Sequence, residues 1–541
     1  MTSTRYATSL RRAVLAGLAL VGAACSSLPP AAHPTPTQAI ADYAQTPLDA
    51  ITRPALPTDG RSGFRLQPYG PNAFATRIEL ARLATRSLDV QYYLLQGDNT
   101  GRALMRELRD AAARGVRVRV LVDDFYTAGE DELLLGLAAH ANVEVRLFNP
   151  FPGGRGSMLT RFVSSGLEFG RVNRRMHNKL FVADNVAAVA GGRNMADDYV
   201  SNAPGRNFID MDTFVAGPVV RELSGEFDHY WNSELVFAVE RIASTRLSRA
   251  ELQASFERAT RDAAPPAASA IPADGRPAHP AEDEPTSLPA DLVGMLNLPF
   301  ELADHRLGPL LPAHARVLFD PLTKAEGWNE RQDSIKGTVT EGVIAWFQTA
   351  RSRIKMVSPY FVPSDKAVAS LAGARAAGLT VQLVTNSLAS TDEPFVYIGY
   401  WPHVKTLLKA GVEISELSPS LSGRRHKLGL FGHRTGALHM KNAIVDQQQV
   451  FLGSMNLDQR SAKLNTEMGV IIDSAEMARQ LAAFADEGSF YRLRLNDRDE
   501  VEWVRDNGDG TQTVYDVPPE TTAWQRLSLR LMGPFIPDSE L

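Results

Sequence analysis

The chain has little cysteine, little net charge and no long apolar run, and each shortage excludes something. A single cysteine, Cys25, in 541 residues rules out an internal disulfide framework and any metal site built from several cysteines. A formal net charge of −5 provides no global field towards nucleic acid or an anionic membrane. That counts against a nuclease, although a local basic cleft can coexist with a negative total, and nucleic acid is not the expected partner. The apolar run at 13–24 is too short to cross a bilayer as a mature helix. What is present is an ordinary globular composition, 44% hydrophobic and 22% charged, long enough for more than one core.

The start has the pattern of an export signal. Arg5, Arg11 and Arg12 precede the apolar run, which ends at Val21-Gly22-Ala23-Ala24-Cys25-Ser26. Small residues before a lone cysteine resemble a bacterial lipoprotein cleavage box, with Gly22 where such boxes usually carry Leu. This predicts lipidation of Cys25 and an anchored, periplasm-facing protein of the bacterial cell envelope. Ser26 resembles the outer-membrane sorting class. The alternative is a non-lipidated signal or signal anchor with Cys25 incidental. Residues 1–25 are thus the signal and 26–62 a tether and lead-in, the Pro/Ala/Thr-rich part of which has no core of its own.

From Phe64 the chain alternates helix and strand patterns, which predicts α/β architecture. Helices are expected at 73–84, 101–113 and 132–139, with strands at 87–95, 116–122 and 143–148. The order then repeats, with helices at 342–349, 367–377 and 404–409 and strands at 354–361, 380–385 and 412–417. Gly115 and Gly378, like Asn142 and Gly411, fall where a helix must reverse into a strand. Two similar halves follow, 63–250 and 292–499, each a mixed sheet flanked by helices. The Ala/Pro-rich stretch 251–291 is a linker or surface excursion, and 500–541 a small hairpin and tail.

The repeat contains the chemistry. His177 is followed two residues on by Lys179, seven on by Asp184, fourteen on by Gly191 and seventeen on by Asn194. His439, Lys441, Asp446, Gly453 and Asn456 keep the same offsets. His177 alone would more often be an ordinary imidazole, and Lys179 alone a solvated cation; five matched positions reverse that expectation. The Leu-Phe-Val run suggests a strand from His177 to Val182, which puts His177 and Lys179 on one face. A His beside an obligate cation is a poor metal site and a good phosphate site: the ammonium neutralises the anion while the imidazole attacks or donates a proton. Small residues at Gly192 and Gly453 let backbone amides approach a phosphate, and Asn194 and Asn456 each offer a side-chain donor. Asp184 and Asp446 complete the motif; lying past the strand, they suit orientation better than contact with substrate.

Both copies resemble the His-Lys-Asp motif of the phospholipase D superfamily. The resemblance covers nearly the whole chain after the signal. It implies two α/β halves related by a pseudo-two-fold axis, one active site at their interface, and a two-step reaction through a phosphohistidine without metal or other cofactor. It implies His177 as nucleophile and His439 as general acid and then base, each imidazole oriented by a carboxylate. Glu467 and Asp210 fit those carboxylates, with Asp212 close by. Gly192 departs from the family's usual Ser, which Ser454 keeps; the lost hydroxyl should weaken one phosphate contact. With both motifs in one chain, a monomer suffices.

Further runs resemble the bacterial cardiolipin synthase C group: 88–93, 358–363, 385–392 and 460–467. They imply a phosphatidylglycerol-like substrate and a product that is either cardiolipin or, with water as acceptor, phosphatidic acid. Tyr92, Tyr93, Tyr360 and Phe361 are candidates for a lipid pocket or for core packing. A superfamily nuclease and a surface lipoprotein that binds phospholipid without turnover are the competing expectations.

Overall fold

The two halves are built from one strand plan used twice. The computed structural model describes residues 28–29, 35–166, 168–200, 203, 205–264, 268, 290–420, 435–485 and 489–532. The expected signal and Cys25 lie outside the described residues. The first half opens on β1 (Ser62–Gln67). Three parallel strands follow, β2 (Ser87–Tyr92), β3 (Arg117–Asp123) and β4 (Val143–Phe148). Then come β5 (Leu180–Ala183), β6 (Ala187–Gly191), β7 (Arg206–Ile209), β8 (Asp212–Ala216), β9 (Val236–Ala238) and β10 (Leu311–Ala313).

The second half repeats the plan. It opens on β11 (Ala315–Phe319), followed by β12 (Arg353–Val357), β13 (Thr380–Asn386) and β14 (Glu413–Leu417). β15 (Thr435–Leu438), β16 (Asn442–Val445), β17 (Gln449–Gly453) and β18 (Met468–Asp473) come next. β19 (Phe490–Leu495), β20 (Val501–Asp506) and β21 (Gln512–Tyr515) end it. The sheets run β10-β1-β8-β6-β5-β2-β3-β4-β9 and β11-β18-β17-β16-β12-β13-β14-β19-β20-β21. From β1 and β11 onward the two orders match for eight strands, which is the expected pseudo-symmetry.

Local chemistry sets the elements. Helix Asn99–Ala113 starts where the Asp98 side chain accepts from Gly101 N, 3.0 Å away, and reverses at Gly115, φ 98°. Gly378, Asn142 and Gly411 likewise take positive φ. β2 is buried along its length because helices cover both faces of a parallel sheet.

Three expectations change. Helix Arg249–Thr260 packs on helix Asp131–Ala138, so the first part of the expected linker belongs to the first half. Helix Ala290–Ala303 packs on helix Gly70–Leu83, and β10 pairs with β1. The halves therefore divide between β10 and β11. The C-terminal hairpin β20–β21 extends the second sheet through β19. Where the expected tether ends, the lead-in is stapled at Thr37, whose Oγ1 accepts from Trp231 Nε1 at 2.9 Å and whose carbonyl accepts from Arg119 Nη1 at 3.0 Å. A hydrophobic cluster shared by the halves, including Met176, Leu180, Val182, Leu438, Ile444 and Leu452, joins them.

Candidate active site

Each motif histidine leaves its own sheet to pair with the other half. The strand expected from His177 begins only at Leu180, where β2 provides a partner. Before it, Met176 bridges Thr466; His177 N donates to Thr466 O at 2.8 Å and Thr466 N to Arg175 O at 2.9 Å. In the related place β15 pairs with β7, and His439 N donates to Ile209 O at 2.8 Å. The residues following Thr466 and Ile209 are the supporting carboxylates. Glu467 Oε2 lies 2.9 Å from Nδ1 of His177, and Asp210 Oδ2 lies 2.6 Å from Nδ1 of His439.

Glu467 and Asp210 are equivalent in register: Gly453 pairs with Gly469 and Gly191 with Asp212, and each carboxylate stands two residues before that partner. The unequal spacing in sequence comes from an insertion in the first half that forms the turn Asp197–Tyr199 and β7. Asp212 is not in contact with the site imidazoles; it binds Arg77 and Arg193, each at 3.0 Å.

The Gly192/Ser454 difference has a physical reason, and it corrects the phosphate contact expected of Ser454. Ser454 Oγ donates to Glu467 Oε2 at 2.5 Å, and Ser461 Oγ to Oε1 at 2.7 Å. A Cβ at Gly192 would stand 2.4 Å from Asp210 Oδ1. The shorter aspartate needs its backbone closer, and only glycine leaves that space. A Cβ at Gly453 would lie 2.4 Å from Met468 O, so this glycine serves the close approach of β17 to β18.

The lysines fold back over their histidines. Lys179 Nζ donates to His177 O at 2.5 Å, and Lys441 Nζ to His439 O at 2.6 Å. Tyr93 and Tyr360 face them, with ring centroids 5.3 and 5.8 Å from the ammonium nitrogens. Tyr92 and Phe361, the other aromatic candidates, belong to the cores. Asn194 is committed to protein, accepting from Leu94 N at 3.3 Å and donating to Tyr199 Oη at 2.9 Å. Asn456 is buried, and its Oδ1 has no hydrogen-bond partner among the described residues.

Asp184 and Asp446 stand at the far ends of β5 and β16. Each opens a two-residue turn with two positive φ values, 53° and 56° at Asp184-Asn185 and 52° and 57° at Asp446-Gln447. Asp184 accepts from the backbone amides of Thr85, Arg86 and Ser87, the shortest at 2.7 Å. Asp446 accepts from those of Arg351, Ser352 and Arg353 at 2.8–2.9 Å. Both carboxylates clamp the hairpin to the start of the parallel unit, as orienters.

Burial, then Lys179, Lys441 and His439, hold the His177 imidazole well below its ordinary range. Burial and Lys441 also lower His439, but Asp210 opposes them. Burial raises Glu467 to about 7 against the pull of Lys179, and lowers Lys441 to about 8. Glu226 is buried beneath the site, accepting from Asn178 Nδ2 at 2.5 Å, and desolvation pushes it to about 8. Among the described residues no group of three or more His, Cys, Asp or Glu forms a metal-ligand set.

One residue near the imidazoles has no counterpart in the repeat. Tyr199 Oη lies 3.3 Å from Nε2 of His439, and its ring meets that imidazole edge-on. Its only signal in the sequence is the insertion that breaks the spacing between Asn194 and Asp210.

Two histidines, each backed by a carboxylate and flanked by a lysine on a duplicated α/β frame, define the phospholipase D superfamily. Residues 77–231 and 343–487 match the family described as cardiolipin synthase, PLD-like domain, and the chain belongs to it. It is a phosphatidyltransferase/phosphodiesterase-class enzyme. Cardiolipin synthase C of Escherichia coli (strain K12) is 35% identical over 471 residues, 85% of this chain and 92% of the relative. A cardiolipin synthase of Staphylococcus aureus (strain N315) is 24% identical over 436 residues, 80% and 68% of the two chains. The crystal structure of phosphatidylserine synthase from Haemophilus influenzae Rd KW20 shares the fold, with TM-score 0.50 at 14% identity, covering 89% of this chain and 94% of that one.

Proposed function

We propose that the protein transfers a phosphatidyl group through His177, with phosphatidylglycerol-like lipid as donor and a second such lipid as acceptor, to make cardiolipin. The observation that carries the order of events is the asymmetry of the two imidazoles. His177 is the more strongly biased to the neutral form, and no side chain among the described residues hydrogen-bonds its Nε2. His439 has Asp210 to favour its protonated form. Nε2 of His177 attacks phosphorus; the bond to the leaving glycerol oxygen breaks, and His439 Nε2–H protonates that oxygen. Neutral His439 then takes the proton of the acceptor hydroxyl as its oxygen attacks phosphorus and the P–N bond breaks. Lys179 and Lys441 balance the charge of the phosphoryl oxygens, and Asn456 Nδ2 and backbone amides near Gly192 and Gly453 donate hydrogen bonds to them.

The cardiolipin synthase C relative supports the lipid class, and the lipoprotein-like box at Cys25 supports a bacterial envelope location with the catalytic halves tethered beside lipid. No helix among the described residues is long and apolar enough to cross a membrane. The test is incubation of the purified protein with labelled phosphatidylglycerol. Cardiolipin is the expected product. Phosphatidic acid alone would make water the acceptor, and neither product would sink the lipid reading. DNA cleavage with steep salt dependence would favour the nuclease alternative. Trapping the phosphatidylated imidazole should map to His177.

A further inference from the structure

Between β4 and the first motif lies a surface that the chemistry does not use. The short helix Met158–Ser164 carries Leu159, Phe162 and Val163 on one face, at spacings of three and four residues. They are 75%, 42% and 62% exposed, and Phe169 on the next helix, Phe169–Val172, is 49% exposed. The opposite face holds Arg161, fully buried, which donates to the carbonyls of Asp124 and Phe125 and to Thr127 Oγ1. A surface helix normally has the reverse arrangement, hydrocarbon inward and charge outward.

The neighbouring cations are also turned inward or paired. Arg155 binds Asp124 and Asp131, Arg171 binds Glu168, Arg174 binds Glu330, and Arg175 binds Asp123. The face therefore offers hydrocarbon and little free positive charge. It is also connected to the site. Ring centroids step inward from Phe162 to Phe125 (6.1 Å), Phe125 to Tyr126 (4.9 Å), Tyr126 to Tyr93 (5.3 Å) and Tyr93 to His177 (5.0 Å).

We infer that the outer face of helix Met158–Ser164 enters the apolar layer of a lipid membrane, and that the aromatic run beneath it guides the phospholipid to His177. An exposed apolar patch continuous with a phosphodiester site fits a lipid surface better than it fits solvent. The inference rests on the phosphatidyl-transfer reading for its substrate. Because the arginines described beside this face are paired, attachment depends on buried hydrocarbon and only weakly on salt.

The experiment uses the full chain and the double variant Leu159→Asp/Val163→Asp, whose side chains lie outside the aromatic run. Turnover is measured on long-chain phosphatidylglycerol vesicles and on short-chain phosphatidylglycerol kept monomeric in solution. The variant should lose about tenfold or more on vesicles and stay within about twofold of wild type on the monomer. In a separate variant, Val163→Trp, vesicles with brominated acyl chains should quench more fluorescence than they do in wild type. Equal vesicle turnover by wild type and the double variant, or no added quenching, overturns the inference. So does a wild-type dimer that the double variant abolishes, since the face would then bind a second copy. If wild type turns over neither substrate while the added quenching persists, the membrane face stands and the transfer reading fails.

Discussion

Glu467, from the second half, lies 2.9 Å from Nδ1 of His177 in the first, and Asp210, from the first half, lies 2.6 Å from Nδ1 of His439 in the second. The exchange makes each half supply the orienting group for the other's imidazole. Neither half holds a complete histidine–carboxylate pair alone, so a separated half should show no turnover.

The crossed pairs predict the pH behaviour. Catalysis needs His177 neutral and His439 protonated, so kcat/KM should be bell-shaped. Burial lowers both imidazoles, which places the optimum of the free enzyme on the acid side of neutrality. Asp210 raises His439, so Asp210→Asn should move the alkaline limb to lower pH and cut kcat about a hundredfold. Glu467→Gln should cut kcat similarly through loss of His177 orientation. A pH–rate series on wild type and both variants checks this; a flat profile from about pH 5 to 9 contradicts it.

Tyr199 meets Nε2 of His439, where the acceptor hydroxyl must give up its proton. Tyr199→Phe removes two hydrogen bonds, the one with His439 Nε2 and the one accepted from Asn194 Nδ2, and with them the constraint on that nitrogen. The loss in kcat/KM should be about two- to tenfold, and the share of phosphatidic acid among the products should rise as water reaches the base more easily. An unchanged product ratio would leave Tyr199 a packing residue only.

Gly192 should not accept the hydroxyl that Ser454 carries in the other half. Gly192→Ser drives a Cβ against Asp210 and displaces the carboxylate from His439, so kcat should fall about tenfold or more even though the replacement copies the repeat. Ser454→Ala instead removes a donor to Glu467, and its effect should be smaller. Comparing the two kcat values tests the close-approach argument.

The motif aspartates should govern stability rather than the chemical step. Asp184→Ala leaves the amides of Thr85, Arg86 and Ser87 without their acceptor, a loss of about 3 kcal/mol, while kcat per folded molecule is retained. Burial would raise Asp446, but the amides of Arg353 and Arg351 and the Ser352 side chain hold it at about 2. Its lowered value means its contribution is present above about pH 4 and is lost as pH falls towards 2. Thermal unfolding of Asp446→Ala and wild type should therefore converge at low pH.

The duplicated frame was legible because its signals are local. Helix and strand periods, glycines or Asn142 at the reversals, and five residues at fixed offsets all depend on neighbours in the chain. Those features located the strands of the parallel units to within a few residues, as well as both histidines and both lysines. The family resemblance, and not these offsets, marked Glu467 and Asp210 as carboxylates, without saying which imidazole each would hold.

That pairing is a property of two surfaces meeting. A one-chain pattern counts offsets within a half, whereas Thr466 and Ile209 hydrogen-bond across the interface and carry the next residue over to the other half's histidine. The same limit explains why residues 292–313 were assigned to the second half and why Tyr199 went unnoticed: each contact joins segments far apart in sequence. Ser454 meets Glu467 through the pairing of β17 with β18, which no offset within the motif displays. By itself the sequence determined the repeat, its chemistry and the class of enzyme. Tertiary packing decided which carboxylate serves which histidine, because side-chain partners are set by the distance between elements and not by their order.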